Sequence, residues 1–224
     1  MAEGDAVTAL VVAMDGPSGS GKSSASRGVA RALGLRYLDT GAMYRAITWW
    51  MLEHGVEIGD PAAVAARAAE PVLTIATDPD APGVTVDGRE VSAEIRTHEV
   101  TSAVSAVSAV PEVRARLVAE QRALIGDGDI VVEGRDIGSV VAPGAPVKVY
   151  LTASPEARAR RRSAELTGTT VEAQRLAMAR RDTFDSTRKA DPLVMAADAV
   201  ELDTTELNLD EVISEVLRLV KERT

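Results

Sequence analysis

The run Gly16-Pro17-Ser18-Gly19-Ser20-Gly21-Lys22-Ser23 has the spacing G-x-x-x-x-G-K-[ST], whose chemistry is the cradling of phosphate. Glycines let the backbone curl so that successive N–H groups point inward at phosphate oxygens. A helix starting at the end of such a loop adds its positive N-terminal end. An apolar run, Ala9 to Met14, precedes the loop, and a helix-like stretch, Ser24 to Leu33, follows it. Those are the flanks the pattern needs, and a glycine-rich turn matching by chance would lack them. The segment from Gly16 to Ser24 is therefore expected to bind a nucleoside triphosphate. Lys22 would reach the β- and γ-phosphates, and the Ser23 hydroxyl would sit on Mg²⁺.

Other candidate groups stand where apolar runs end. Leu38 leads into Asp39, Val132 into Glu133-Gly134-Arg135-Asp136, and Leu202 into Asp203. In open α/β sheets, ligands bind at the carboxyl ends of the strands. A carboxylate there, such as Asp39, can hold Mg²⁺ through water or cap the next helix. Arg135 and Asp136 can pair with each other, or Arg can take a phosphate while Asp takes an amine or hydroxyl of a nucleotide. Asp203 has nothing nearby to corroborate it. Arg45 lies one turn past Gly41, where a second phosphate could be held. Arg158, Arg161 and Arg162 share a helix face at i, i+3 and i+4, and Arg180, Arg181, Asp185 and Arg188 recur downstream. Phosphoryl transfer needs cations around the moving group and an in-line donor and acceptor, with little covalent help. One lysine and several arginines meet that need.

The elements that would carry these groups alternate. After the loop helix come a short strand, Arg36 to Leu38, and a helix from about Ala42 to Glu53. Asp60-Pro61 opens an alanine-rich helix to about Ala69. Val72 to Thr77 reads as a strand, and Val84-Thr85-Val86, Asp87-Gly88, Arg89-Glu90-Val91 carries a two-residue hairpin signature. This part, to about Arg96, reads as a small antiparallel insert. Ser102 to Val110 repeats Ser-Ala-Val and fits a closely packed helix. Pro111 opens a further helix to Ile125. Strands follow at Ile130 to Val132 and Val147 to Leu151, then arginine-rich helices at about 155–166 and 171–181. A last strand, Ala199 to Leu202, and a helix, Asn208 to Lys221, end the chain. Such alternation predicts an α/β fold with a mostly parallel sheet and helices on both faces.

Composition narrows the classes. The 224 residues suit one domain, with or without an insert. With 46% hydrophobic but only 3% aromatic residues, the core must be aliphatic. The absence of cysteine excludes disulfides and thiol nucleophiles, and two histidines, His54 and His98, argue against a His-based triad or metal site. No apolar run reaches the roughly 20 residues of a membrane span, and the acidic start lacks the basic flank of a secretory signal. A cytoplasmic enzyme is expected. The net charge of −9 argues against nucleic-acid binding. Yet Tyr150 to Ala190 holds nine basic residues, eight of them arginine, against five acidic ones. An arginine island in an acidic chain suits a small polyanionic ligand.

Several blocks together resemble a known family. Gly16–Ser24, Leu38-Asp39-Thr40-Gly41-Ala42-Met43-Tyr44-Arg45, Glu94-Ile95-Arg96-Thr97, Glu133-Gly134-Arg135-Asp136-Ile137-Gly138 and Arg181-Asp182-x-x-Asp185-x-x-Arg188 are similar, in order, to bacterial cytidylate (CMP) kinases. The resemblance implies one P-loop kinase domain of three layers around a central five-stranded sheet. It adds an NMP-binding insert at about 70–108 and a mobile arginine lid at about 153–170. It implies transfer of the γ-phosphoryl of ATP, with Mg²⁺, to CMP or dCMP in pyrimidine nucleotide metabolism, by a monomer acting on small molecules. Carried over, Thr40, Arg45, Ser105, Arg114, Arg135, Asp136, Arg181, Asp185 and Arg188 would line the CMP site. Ser105, Arg114 and Asp136 would contact cytosine, Asp185 with Arg181 or Arg188 the sugar, and Arg45 and Arg135 the α-phosphate. Ser102 and Ser108 offer the same chemistry as Ser105 at neighbouring registers of the repeat. Lys22, Arg135, Arg158, Arg162 and Arg181 would serve transfer, with Arg158, Arg161 and Arg162 as the lid and Ser23 and Asp39 at the metal. A P-loop switch is the rival class, but no N-K-x-D pattern that would read guanine appears.

Overall fold

A computed structural model describes residues 9–165 and 170–224. Five strands, β1 (Val11–Asp15), β2 (Arg36–Asp39), β6 (Ile130–Glu133), β7 (Val147–Thr152) and β8 (Val200–Asp203), form one sheet in the order β2-β6-β1-β7-β8. Every pairing is parallel, so the expected "mostly parallel" sheet is wholly so. Parallel neighbours require crossovers, and helices supply them on both faces.

The strands are buried on both sides, and their alternation decides which layer each residue joins. Val12 and Met14 of β1 and Val131 of β6 pack with α1 (Lys22–Leu33) and α8 (Leu209–Arg223), through Val29, Val216 and Leu219. Ala13, Ile130 and Val132 face the other way, toward α2 (Thr40–Glu53), α4 (His98–Ser108) and α5 (Pro111–Ile125). That second layer holds the larger cluster, including Ile47, Met51, Val107 and Leu117. Asn208 closes α8 with a capping box, its side chain taking the Glu211 amide while Glu211 takes the Asn208 amide.

The insert begins after the short helix α3 (Pro61–Arg67), capped by Asp60. Strands β3 (Leu73–Ile75), β4 (Val84–Val86) and β5 (Arg89–Glu90) pair antiparallel in sequence order. Asp87 and Gly88 both have positive φ, 50° and 80°, as the two-residue hairpin turn demands. Asp87 also anchors the insert, accepting the Trp50 indole N–H at 2.7 Å. The Ser-Ala-Val repeat does form a helix, α4.

Helices α6 (Pro155–Glu165) and α7 (Val171–Thr187) follow β7 and pack on each other. The second runs six residues beyond the expected end at Arg181, carrying Asp185 on the same rod. Residues 166–169 of the expected lid lie outside the described residues. No helix among the described residues is long and apolar enough to cross a membrane.

A π-helical turn, Ile137–Val141, follows β6, a place where the sequence carries no helical signal. Asp15, at the end of β1, accepts the Ile137 and Gly138 amides, both at 2.8 Å. Burial pushes this carboxyl up to about 6, with the amides and Lys22 opposing. The folded chain thus keeps the Asp15 proton to higher pH than the unfolded chain. That contribution to stability is complete below the ordinary value of 3.8 and is lost as pH rises through about 6. The loss amounts to about 3 kcal/mol, taken from the shift at 1.36 kcal/mol per unit. Asp15→Asn cannot titrate, so its deficit against wild type in urea unfolding should shrink between about pH 4 and about pH 7.5. A deficit that stays constant would contradict the burial argument.

Candidate active site

The loop Gly16–Gly21 bridges β1 and α1, with φ of 140°, 75° and 90° at Gly16, Gly19 and Gly21. Any Cβ at Gly16 would lie 2.1 Å from the Leu151 carbonyl oxygen, so only glycine lets the loop pass the end of β7. Gly21 is the N-cap of α1 and offers no side chain to the first-turn amides, and no acidic residue stands in that turn. The helix start is therefore open to an anion.

Lys22 is buried and folded back over the loop. Its Nζ donates to the Pro17 carbonyl at 2.7 Å and the Ser20 hydroxyl at 3.4 Å. Burial, reinforced by the Arg135 charge, holds its ammonium well below the usual lysine range. Beside it the Ser23 hydroxyl donates to Glu133 Oε1 at 2.8 Å, and the Tyr37 hydroxyl donates to the same oxygen at 2.9 Å. Glu133 Oε2 is buried with no partner. Burial and the neighbouring Asp39 charge raise the Glu133 carboxyl, against Lys22, Ser23 and Tyr37.

Asp39 caps α2, accepting the Ala42 amide at 2.8 Å on Oδ1, and accepts Arg45 Nη2 at 2.9 Å on Oδ2. Both oxygens are thus engaged, and the carboxylate beside Ser23 is Glu133, not Asp39. Burial pushes Asp39 up, but Arg45 and the Ala42 amide outweigh it and hold the carboxyl below its ordinary value. Thr40 donates to the Glu133 carbonyl at 2.7 Å, tying the ends of β2 and β6 together.

Arg135 and Asp136 do not pair with each other, because consecutive side chains leave the strand end on different sides. Arg135 donates to Asp185 Oδ2 at 3.0 Å and to the Gly16 carbonyl at 2.9 Å. Arg181 lies 3.9 Å from the same Asp185 oxygen, pressed down to about 9 by burial and then by Arg135. Asp136 instead accepts a short hydrogen bond from Arg114 Nη2, and Arg188 Nη2 stands 3.6 Å from the same Oδ2. Arg114 also donates from Nε to Asp191 at 2.7 Å and lies 5.5 Å from the Tyr44 ring centroid. Burial raises the Asp136 carboxyl, against the pull of Arg114 and Arg188.

These groups line one cleft running from Ser18 and Gly19 past Thr40 and Arg45 to Arg114, Asp136 and Arg188, with Arg162 also on its wall. Eight cationic side chains line it against four carboxylates, in a chain of net charge −9. Such a cleft draws in a small polyanion. Among the described residues no three His, Cys, Asp or Glu side chains come together to hold a metal by themselves.

Some expected residues lie elsewhere. Arg158 is buried beneath the loop, donating to the Ser18 carbonyl at 3.0 Å and to Asp182 at 2.5 Å. Arg161 bonds the Thr204 hydroxyl at 2.9 Å and the Thr204 carbonyl. Two arginines of the expected lid, Arg158 and Arg161, therefore already bond protein acceptors, because helix packing turns them that way. Ser105 is not on the cleft wall, whereas Thr101, Val104 and Ser108 of α4 are. Arg96 also lines the cleft, and its place in the Glu94–Thr97 block was the available signal. Asp203 accepts the Thr205 amide and hydroxyl in an exposed turn and does not line the cleft.

A phosphate loop on a parallel sheet, opening into a cleft with excess positive charge, defines a P-loop phosphotransferase. The family model of cytidylate kinases matches residues 12–222. A curated cytidylate kinase of Streptomyces avermitilis is 59% identical over 219 residues, covering 97% of this chain and 95% of that protein. One from Mycobacterium leprae is 51% identical over 223 residues, covering 97% and 98%. The chain belongs to the cytidylate kinase family. Among solved structures, a shikimate kinase from Acinetobacter baumannii aligns with a TM-score of 0.50 at 14% identity, over 96% of this chain and 94% of that one. That likeness shows the fold alone.

The Arg114–Asp136 pair has 3% and 6% side-chain exposure. Removing one partner of a buried pair leaves the other charge uncompensated. Arg114→Met should therefore destabilise the ligand-free protein by about 3 kcal/mol or more, read as a fall in the urea midpoint. A loss below about 1 kcal/mol, the scale of an exposed ion pair, would mean that Arg188 alone suffices for Asp136.

Proposed function

We propose that this protein transfers the γ-phosphoryl group of ATP to CMP or dCMP, giving ADP and CDP or dCDP. Family membership supports the reaction. The observation that carries the residue assignment is the cleft, whose two ends differ in chemistry. At one end stand the open helix start and Lys22, suited to a triphosphate. At the other, Asp136 and Arg114 offer an acceptor and a donor side by side.

Transfer from a triphosphate passes through a loose state whose charge spreads over the equatorial oxygens, so positioning and electrostatics dominate. Lys22 exchanges its Pro17 and Ser20 contacts for donor phosphate oxygens. The phosphate charge draws it back to the ammonium form that burial disfavours. Arg135 and Arg181, set by Asp185, face the transferred group, and Arg45 takes the acceptor phosphate. Arg162, on the cleft wall, belongs to the lid that excludes water. Mg²⁺ needs oxygen ligands and keeps several waters, with one or two carboxylates and the substrate phosphates. Ser23 and Glu133, whose Oε2 has no partner, fit that need. When bound, the ion neutralises charge developing between donor and acceptor phosphates.

Base choice rests on Asp136. Cytosine presents an exocyclic amine where uracil presents a carbonyl, so a carboxylate attracts one and repels the other. Arg114 donates to the ring acceptors, and Asp185 with Arg181 or Arg188 holds the sugar. A panel of nucleoside monophosphates with ATP as donor, read by ADP release, tests the whole reading. CMP and dCMP should lead it, and comparable turnover of AMP or shikimate would overturn it.

Two variants test the roles. Lys22→Ala should lower kcat by at least about a hundredfold, in line with the roughly 3–4 kcal/mol lost with one preorganised charge contact, while CMP binding changes little. Asp136→Asn keeps the shape but loses the charge. It should reduce the kcat/KM preference for CMP over UMP by at least about tenfold, roughly 1.4 kcal/mol, mainly through poorer use of CMP. Equal loss with both substrates would make Asp136 a structural residue.

A further inference from the structure

Asp191 follows the C-terminal end of α7 and does not line the cleft, yet both arginines that meet Asp136 also touch it. Arg114 donates its Nε to Asp191 Oδ2 at 2.7 Å, and Arg188 donates its Nε to the Asp191 backbone carbonyl at 2.7 Å. Asp191 has φ of 46°, a conformation few side chains other than Asn and Asp tolerate, and Pro192 follows it. The chain turns back here, and Leu193 returns its amide to the Asp185 carbonyl at 2.8 Å.

The consequence lies in how Arg114 is divided. A guanidinium can grip one carboxylate with two parallel N–H bonds. Here it does not: Nε is taken by Asp191, Nη1 donates to the Ser108 carbonyl at 3.4 Å, and only Nη2 reaches Asp136. Among the described residues, both arginine contacts to Asp136 fall on Oδ2. Charge follows the same division. Without Asp191, two arginines would face a single carboxylate. With it, two cations meet two anions, and Asp136 is not fully consumed by its partners.

We propose that Asp191 is a positioning residue for base selection: by holding the Nε edge of Arg114 it keeps Oδ1 of Asp136 available to the acceptor's exocyclic amine. The proposal rests on the reading of Asp136 given above. Loss of the Asp191 carboxylate frees Nε, so that Arg114 can turn its Nε–Nη2 edge onto both oxygens of Asp136. The acceptor that should favour cytosine is then masked, and the preference for CMP declines although no group touching the substrate has changed.

The test is a set of kcat/KM ratios for CMP over UMP in Asp191→Asn, Asp136→Asn and the double variant, with urea midpoints alongside. Asn tolerates positive φ and preserves shape. Should Asp191→Asn fold poorly, Asp191→Gly removes the carboxylate while relaxing the backbone. Asp191→Asn is expected to lower the CMP/UMP ratio by at least about fivefold, with KM for CMP rising more than kcat falls. The double variant should lose no more discrimination than Asp136→Asn alone, because Asp191 acts through Asp136. If Asp136→Asn reduces the ratio but Asp191→Asn leaves it unchanged, or lowers CMP and UMP turnover equally, the positioning role is wrong and the base assignment stands. An unchanged ratio in Asp136→Asn overturns the base assignment and this proposal with it.

Discussion

Eight cationic side chains stand around one cleft with only four carboxylates among them, and the rest of the structure depends on holding that excess in place. Like charges in a partly buried site repel strongly, so each must be fixed by something other than solvent. The structure uses two devices. Carboxylates divide the arginines into small groups: Asp39 with Arg45, Asp185 with Arg135 and Arg181, Asp136 with Arg114 and Arg188. Backbone carbonyls take the remaining donors, as Pro17 does for Lys22 and Gly16 for Arg135. A ligand rich in phosphate oxygens offers more acceptors than either device.

The phosphate loop is braced by the same economy. Arg135 grips the Gly16 carbonyl from the end of β6, and Arg158 grips the Ser18 carbonyl from α6. Each arginine stands more than a hundred residues along the chain from the loop residue it holds, yet both meet that one loop. Asp15 fastens the neighbouring π-helical turn, so the end of β1 is tied to the segment that follows β6. The positions of Arg135 and Asp136 follow from that anchoring, since both lie between β6 and the turn.

Much of the fold was legible because local chemistry and global need agree. Alternating apolar runs and helical stretches announced the parallel sheet, and Asp87-Gly88 announced the hairpin through two positive φ angles. Asp60-Pro61 announced the start of α3. The Ser-Ala-Val tract was legible as a helix but not in its register. A repeat of three places a serine at every candidate position, and only packing against α2 selects which face meets the cleft. The π-helical turn after β6 carried no local signal, because a buried carboxylate 122 residues away holds it.

Taken alone, the sequence determined the phosphate loop, the order of elements, the family and the set of charged residues in play. These are properties of short windows, where spacing and residue type dictate backbone conformation. The tertiary structure alone decided which charge meets which. Arg135 turned to Asp185 rather than to its neighbour Asp136, Arg158 went beneath the loop rather than over it, and Asp39 gave both oxygens to α2. Asp191 attracted no notice in the sequence, yet it shares Arg114 with Asp136. Ion pairing depends on distance in space and on burial, and both are set by the crossing of elements far apart in the chain. No spacing rule within a single strand or helix encodes them.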